Sequence, residues 1–232
     1  MEFNRMFRSP NRSRGVSLVE FAIIFPIALV LVLGIVQIGL IYIGKINLNH
    51  ATFMAARRGA VENGTKASIR GSLQSGLIPF YQNVTDGNVG TRLIAAKTKA
   101  VADSLFFLQV ERLSPAVSAM NDFGVTVGGK KQIPNDNLAF RNSAVGGSSG
   151  ASIQDANLLK IKVTYGYELK VPLMAKVLRT VMCGTNFGVP AIFGSPGLPV
   201  LSSNCLKYYS FGRIPMVSYA IVQMQSPVYS FE

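Results

Sequence analysis

Residues 14–46 begin Arg14-Gly15-Val16-Ser17-Leu18-Val19-Glu20-Phe21 and continue as an apolar run from Ala22 to Gly44. That run holds one proline, Pro26, and no lysine, arginine or acid. Over the 29 residues 16–44, Glu20 is the single charged group. A helix of this length rises about 43 Å, more than the ~30 Å hydrocarbon core of a bilayer requires. The stretch therefore predicts a transmembrane helix, and it poses a question: why a carboxylate sits four residues inside its start.

Three readings compete. A cleaved secretory signal has a short apolar region ended by a small-residue site. Here the region is about twice too long for that, and Ile41-Tyr42-Ile43-Gly44-Lys45 offers no such site. An ordinary membrane anchor would place Glu20 at the interface, within reach of water, where its cost is small. The third reading is a prepilin-type signal: a basic leader, a glycine, and an acid fifth after it in an otherwise apolar helix. Cutting after Gly15 would free the amine of Val16. Glu20 would then have a cation to meet, its own or a neighbouring subunit's, in a medium where an unpaired carboxylate is costly. A buried pair of this kind favours register more than stability.

The run Arg14-Gly15-Val16-Ser17-Leu18-Val19-Glu20-Phe21-Ala22-Ile23-Ile24-Phe25-Pro26 resembles the N-terminus of TadE-like minor pseudopilins of the tight-adherence (Flp-type) pilus system. The resemblance continues through Gly34-Ile35-Val36-Gln37-Ile38-Gly39 and Asn49-His50-Ala51-Thr52-Phe53-Met54-Ala55-Ala56-Arg57-Arg58-Gly59-Ala60. It returns weakly at 159–167, at Arg213-Ile214-Pro215 and at Met224-Gln225-Ser226. Val16 departs from the phenylalanine of many type IV pilins. The resemblance implies processing by a prepilin peptidase at Gly15 and Val16, subunit pairing through Glu20, and a role in supporting pilus assembly rather than forming its bulk. The partners it implies are other pilins and minor pseudopilins, an inner-membrane assembly platform and the lipid bilayer; the residues themselves offer no catalytic motif, so no enzyme and no cofactor are expected. The competing class is a single-span envelope scaffold or binding protein that is never processed.

The flanks set the expected orientation. Arg5, Arg8, Arg12 and Arg14 precede the span against one acid, Glu2, while Lys45 follows it. Basic residues near a span stay cytoplasmic, so the C-terminal head is expected outside, in the periplasm of a bacterial cell. Of the net charge of +12, the leader through Gly15 carries +3 and the remainder +9. The basic residues of the head are dispersed and form no reader motif, which argues against nucleic acid. A basic head suits anionic headgroups, envelope polysaccharide or an acidic partner, or is simply well solvated.

Outward from the span, the sequence predicts an α+β fold: a basic leader (1–15), a transmembrane helix (16–44), a helical extension (45–60) and a globular head (61–232). Pro26 removes one helical donor and predicts a mild kink. Glu62-Asn63-Gly64-Thr65 is a turn signal. A short helix is expected over 66–77, stopped by Pro79, and a longer one over 91–113 with Ile94, Val101, Leu105 and Leu108 on one face. Alternation predicts a strand over 123–127. The Gly, Ser, Asn and Lys-rich stretch 128–152 predicts a flexible loop. The clearest strand covers 159–171, with Leu159, Ile161, Val163, Tyr165 and Tyr167 alternating with polar residues; Gly166 is a candidate bulge or bend. A helical pattern fills 172–182, and a strand is expected over 214–223 with Val217, Tyr219 and Ile221 sharing a face. Together these give a small antiparallel sheet with additional helices.

Candidate chemistry is sparse. Cys183 and Cys205 bracket a Gly- and Pro-rich loop. In an oxidising compartment a disulfide would pin that loop, contributing on the order of 3 kcal/mol in the chain-entropy model. Two buried thiols, or a metal or redox role, are the alternatives; with one histidine in the chain, His50, zinc is poorly served. His50 itself reads as a helix-surface or packed residue. Gly128-Gly129-Lys130-Lys131 lacks the spacing of a phosphate loop, and two Asn-x-Thr sequons, at Asn63 and Asn83, are short enough to arise by chance.

Overall fold

The computed structural model describes residues 14–82, 88–183 and 207–230. Helix α1 (Arg14–Val61) runs unbroken for 48 residues, through Pro26. Its buried positions form one stripe: Gln37, Gly44, Leu48, Ala51, Thr52, Ala55, Ala56, Gly59 and Ala60. The spacing of three, four and seven is that of a single helical face, and small residues dominate it so that other elements approach closely. Asn63 (φ 61) and Gly64 (φ 65) then turn the chain in left-handed conformations, which Asn and Gly adopt at little cost.

Helix α2 (Lys66–Gly76) is capped by the Thr65 side chain, which accepts from the Ser68 N–H. It lies on α1, and a 3-10 turn at Ile78–Phe80 ends this layer. Helix α3 (Val89–Phe107) leads directly into strand β1 (Leu108–Ser114). Helix α4 (Val117–Phe123), strands β2 (Val125–Val127) and β3 (Lys130–Ile133), and the short helix α5 (Ile153–Ala156) precede the long strand β4 (Leu158–Glu168). Helix α6 (Met174–Cys183), a 3-10 turn at Tyr209–Phe211, and strands β5 (Arg213–Gln223) and β6 (Val228–Tyr229) complete the order.

Two antiparallel three-stranded sheets result, β1-β4-β5 and β2-β3-β6. The larger one buries Leu159, Ile161, Val163, Tyr165 and Tyr167 against α1, the alternation expected of β4. Its register against β5 pairs Leu158 with Gln223 and Glu168 with Arg213 without a break. The chain end is tied back at the top of α1, where the N–H groups of Gln225 and Ser226 both donate to Ala60 O.

The architecture is the α+β arrangement expected, with local differences. The helix expected over 91–113 stops at Phe107, because residues 108–114 pair with β4 instead. Its expected face is also reversed: Ile94 and Leu105 are exposed while Ala96, Ala100 and Ser104 are buried. Arg70 and Gln74 of α2 donate to the backbone and hydroxyl oxygens of Ser104, a close contact that only small side chains allow. Val217, Tyr219 and Ile221 do share a face of β5, but Tyr219 and Ile221 are exposed; Met216, Ser218 and Ala220 are the buried side. Phe123 ends α4 rather than starting a strand. The stretch 128–152 contains β3, which pairs with both β2 and β6, and Gly128-Gly129 forms the tight β2–β3 connection with positive φ at both residues. Gly166 is no bulge: the register passes through it, and a Cβ there would meet the Tyr208 ring at 2.7 Å.

Candidate functional site

Every residue from 18 to 32 is exposed, and most of them are large and apolar. Exposed greasy surface of that extent is a contact surface by physical necessity. Leu18–Val61 is apolar and long enough to cross a membrane, with 6% of its most apolar window buried. Phe21 and Phe25, one turn apart, stack at 5.2 Å. Glu20 is exposed on this same surface. The backbone of Gly15 and Val16 lies in the first turn of α1, where amides have no partner four residues earlier. Val16 and Glu20 are four residues apart, hence on one face and one turn from each other.

The head takes hold of α1 at Gln37. That side chain is 2% exposed, and its Oε1 accepts from the Val171 N–H at 2.9 Å. One turn-pair later, a Cβ on Gly44 would stand 2.9 Å from the Tyr167 ring, so glycine is what lets the ring lie on the helix. Lys45 donates to Val217 O on β5. Further along, a Cβ on Gly59 would meet Ile69 at 2.7 Å and Leu159 at 3.1 Å. Strand β4 therefore runs antiparallel to α1, its Leu159 end beside Gly59 and its Tyr167 end nearer the apolar span.

Near that end lies a polar cluster that sequence reading did not find. Arg213 donates to Asp103 Oδ2 at 2.6 Å and to Gly166 O at 2.9 Å, and its guanidinium stacks 4.1 Å from the Phe107 ring centroid. Tyr81 donates to the same carboxylate oxygen at 2.6 Å, which leaves Tyr165 to donate to Tyr81 across 2.5 Å. Burial, helped by the neighbouring Tyr165 and Asp103, raises the Tyr81 pKa; burial pushes Tyr165 up to about 12. Burial pulls the other way on Arg213, but Asp103 outweighs it and keeps the guanidinium charged. Phenols held neutral and a carboxylate already shared by two donors make a clamp between α3, β4 and β5. The only sequence hint was Arg213 itself, an arginine at the start of an apolar strand.

Cys183 ends α6, while Cys205 lies outside the described residues, as does the loop between them. His50 is exposed on α1. Among the described residues no group of three or more His, Cys, Asp or Glu side chains converges.

A comparison with protein families matches residues 15–57 to the family described as TadE-like protein. No curated protein and no solved structure matches the chain. The matched stretch covers the Gly15–Val16 bond, Glu20, the exposed apolar surface and the point where the head grips the helix, and it stops before the head proper. Over its long N-terminal helix the chain thus resembles TadE-like proteins, which points to a single-pass membrane protein associated with a Tad pilus.

Proposed function

We propose that the chain is a minor pseudopilin that supports assembly of a tight-adherence pilus, and that a prepilin peptidase cuts it between Gly15 and Val16. One observation carries this reading: a lone carboxylate, Glu20, on an exposed apolar helix surface, one turn beyond a glycine that closes a basic leader. The bond to be cut lies in the first helical turn, which opens at small cost because its amides lack helical partners. The new amine of Val16 is a cation at the edge of the apolar surface, and Glu20 neutralises it, within one subunit or between two. Other pilin-type helices cover residues 18–36 once the subunit leaves the lipid. The head is exported and the leader cytoplasmic in an inner-membrane orientation, as the basic flank of the span favours.

Mass spectrometry of the intact chain, produced with and without a prepilin peptidase, tests this. The expected result is loss of the mass of residues 1–15 only when the peptidase is present, and no loss for Gly15→Arg. A chain that keeps its first residue in its native host refutes processing and leaves an unprocessed single-span envelope scaffold.

A further inference from the structure

We propose that the end of the head nearest the span, built by α6 and the Tyr209–Phe211 turn, is a lipid-contacting surface that seats the head on anionic phospholipid. This rests on the reading of α1 as a membrane span. The contacts along α1 fix the depth: Gly59 meets Leu159, Gly44 meets Tyr167, and Gln37 meets Val171. From Leu18 to Gln37 the helix rises about 28 Å, close to the ~30 Å thickness of the hydrocarbon core. Val171 therefore stands where hydrocarbon gives way to headgroups, and α6 begins three residues later.

The chemistry of this rim fits that position. Leu173 (57%), Val177 (38%) and Phe211 (65%) are exposed, and Gly212 brings the Phe211 turn against Ala175 of α6, within 3.4 Å of a Cβ built on it. Lys176 and Arg179 are exposed on the same helix, and Lys207 lies just before the turn. Residues 169–183 and 207–212 contain no acid. Glu168, the nearest in sequence, is held by Lys170 at 2.6 Å, and Asp103, behind the Phe211 turn, is held by Arg213 and Tyr81. Apolar side chains interleaved with unopposed cations, at the depth of the phosphates, are the pattern of a helix lying in a membrane interface. Cations there are attracted to anionic lipid within a Debye length.

The chain has no tryptophan, so a single one reports cleanly. Full-length Phe211→Trp and Val177→Trp, reconstituted in vesicles of mixed phosphatidylglycerol and phosphatidylcholine, are compared with and without brominated acyl chains. Leu29→Trp in the span and Val125→Trp on the distal sheet are the references. Expected are blue-shifted emission and bromolipid quenching for positions 211 and 177, strong quenching at 29 and none at 125. Lys176→Glu with Arg179→Glu should remove most of the quenching at 211. Quenching at 29 but at neither 211 nor 177 overturns the proposal and leaves the span intact. A blue shift at both without quenching means a protein surface covers the rim, and also overturns it. No quenching at 29 overturns span and rim together.

Discussion

Replacing Gly76 with alanine sets helix propensity against packing, with opposite signs. Gly76 ends α2, where that helix crosses α1. Propensity alone favours alanine by about 1 kcal/mol. The structure, however, puts the new Cβ 2.6 Å from the Cβ of Ala51 and 3.1 Å from its Cα. Neither atom belongs to a flexible side chain, and Ala51 is buried, so relief requires the two helices to part. Overpacking of this kind costs about 1–3 kcal/mol. The difference is a net loss of up to about 2 kcal/mol, which for a chain of this size lowers Tm by up to roughly 8 °C. Gly71, on the same helix, has nothing within 4 Å of its Cβ position, so Gly71→Ala should instead gain about 0.5–1 kcal/mol. Thermal unfolding of the full chain in detergent, followed by near-ultraviolet dichroism of the head's tyrosines, reads both. Adding Ala51→Gly to Gly76→Ala should restore part of the loss. If Gly76→Ala stabilises as Gly71→Ala does, the helices are not in contact there and the placement of α2 is wrong.

Two further outcomes follow from the Asp103 clamp. Asp103→Ala leaves the Arg213 guanidinium buried without its carboxylate and should cost about 3–5 kcal/mol; a double-mutant cycle with Arg213→Met should recover much of it, and additivity would refute coupling. Tyr81 and Tyr165 have folded pKa values raised above the usual 10, so the folded chain holds protons that the unfolded chain gives up. That contribution is complete below pH ~10; the share of Tyr165 is lost as pH rises through about 12, and that of Tyr81 persists to higher pH. Measured as stability against pH above 10, Tyr165→Phe should flatten the alkaline loss seen in wild type; unchanged steepness in Tyr165→Phe refutes the assignment.

What the sequence made legible was whatever one period decides. An uninterrupted apolar run specified α1, and alternation over 159–167 specified β4 and its buried face. Misreadings arose where size, not polarity, decided. On α3 the large residues Ile94 and Leu105 drew attention, while Ala96, Ala100 and Ser104 made the contact because α2 approaches closely. On β5 Tyr219 and Ile221 stood out, but Ala220 and Ser218 leave room for α1. Residues 108–113 fit both a helical face and an alternating strand; pairing with β4, a non-local partner, chose the strand. The Asp103–Arg213 clamp joins residues 110 positions apart, beyond the reach of any local pattern. By contrast, Gly15, Val16, Glu20 and Pro26 depend on local sequence alone, and the structure adds chiefly the exposure of Glu20 and Pro26.

The antiparallel course of β4 beside α1 has a mechanical consequence. Tension applied along the rod travels parallel to the strands, while the hydrogen bonds joining β4 to its neighbours lie across that direction. Eleven register pairs from Leu158↔Gln223 to Glu168↔Arg213 would then resist together in shear, instead of opening one at a time as a zipper does. A subunit built this way is suited to being pulled lengthwise by its stem without its outer lobe coming apart.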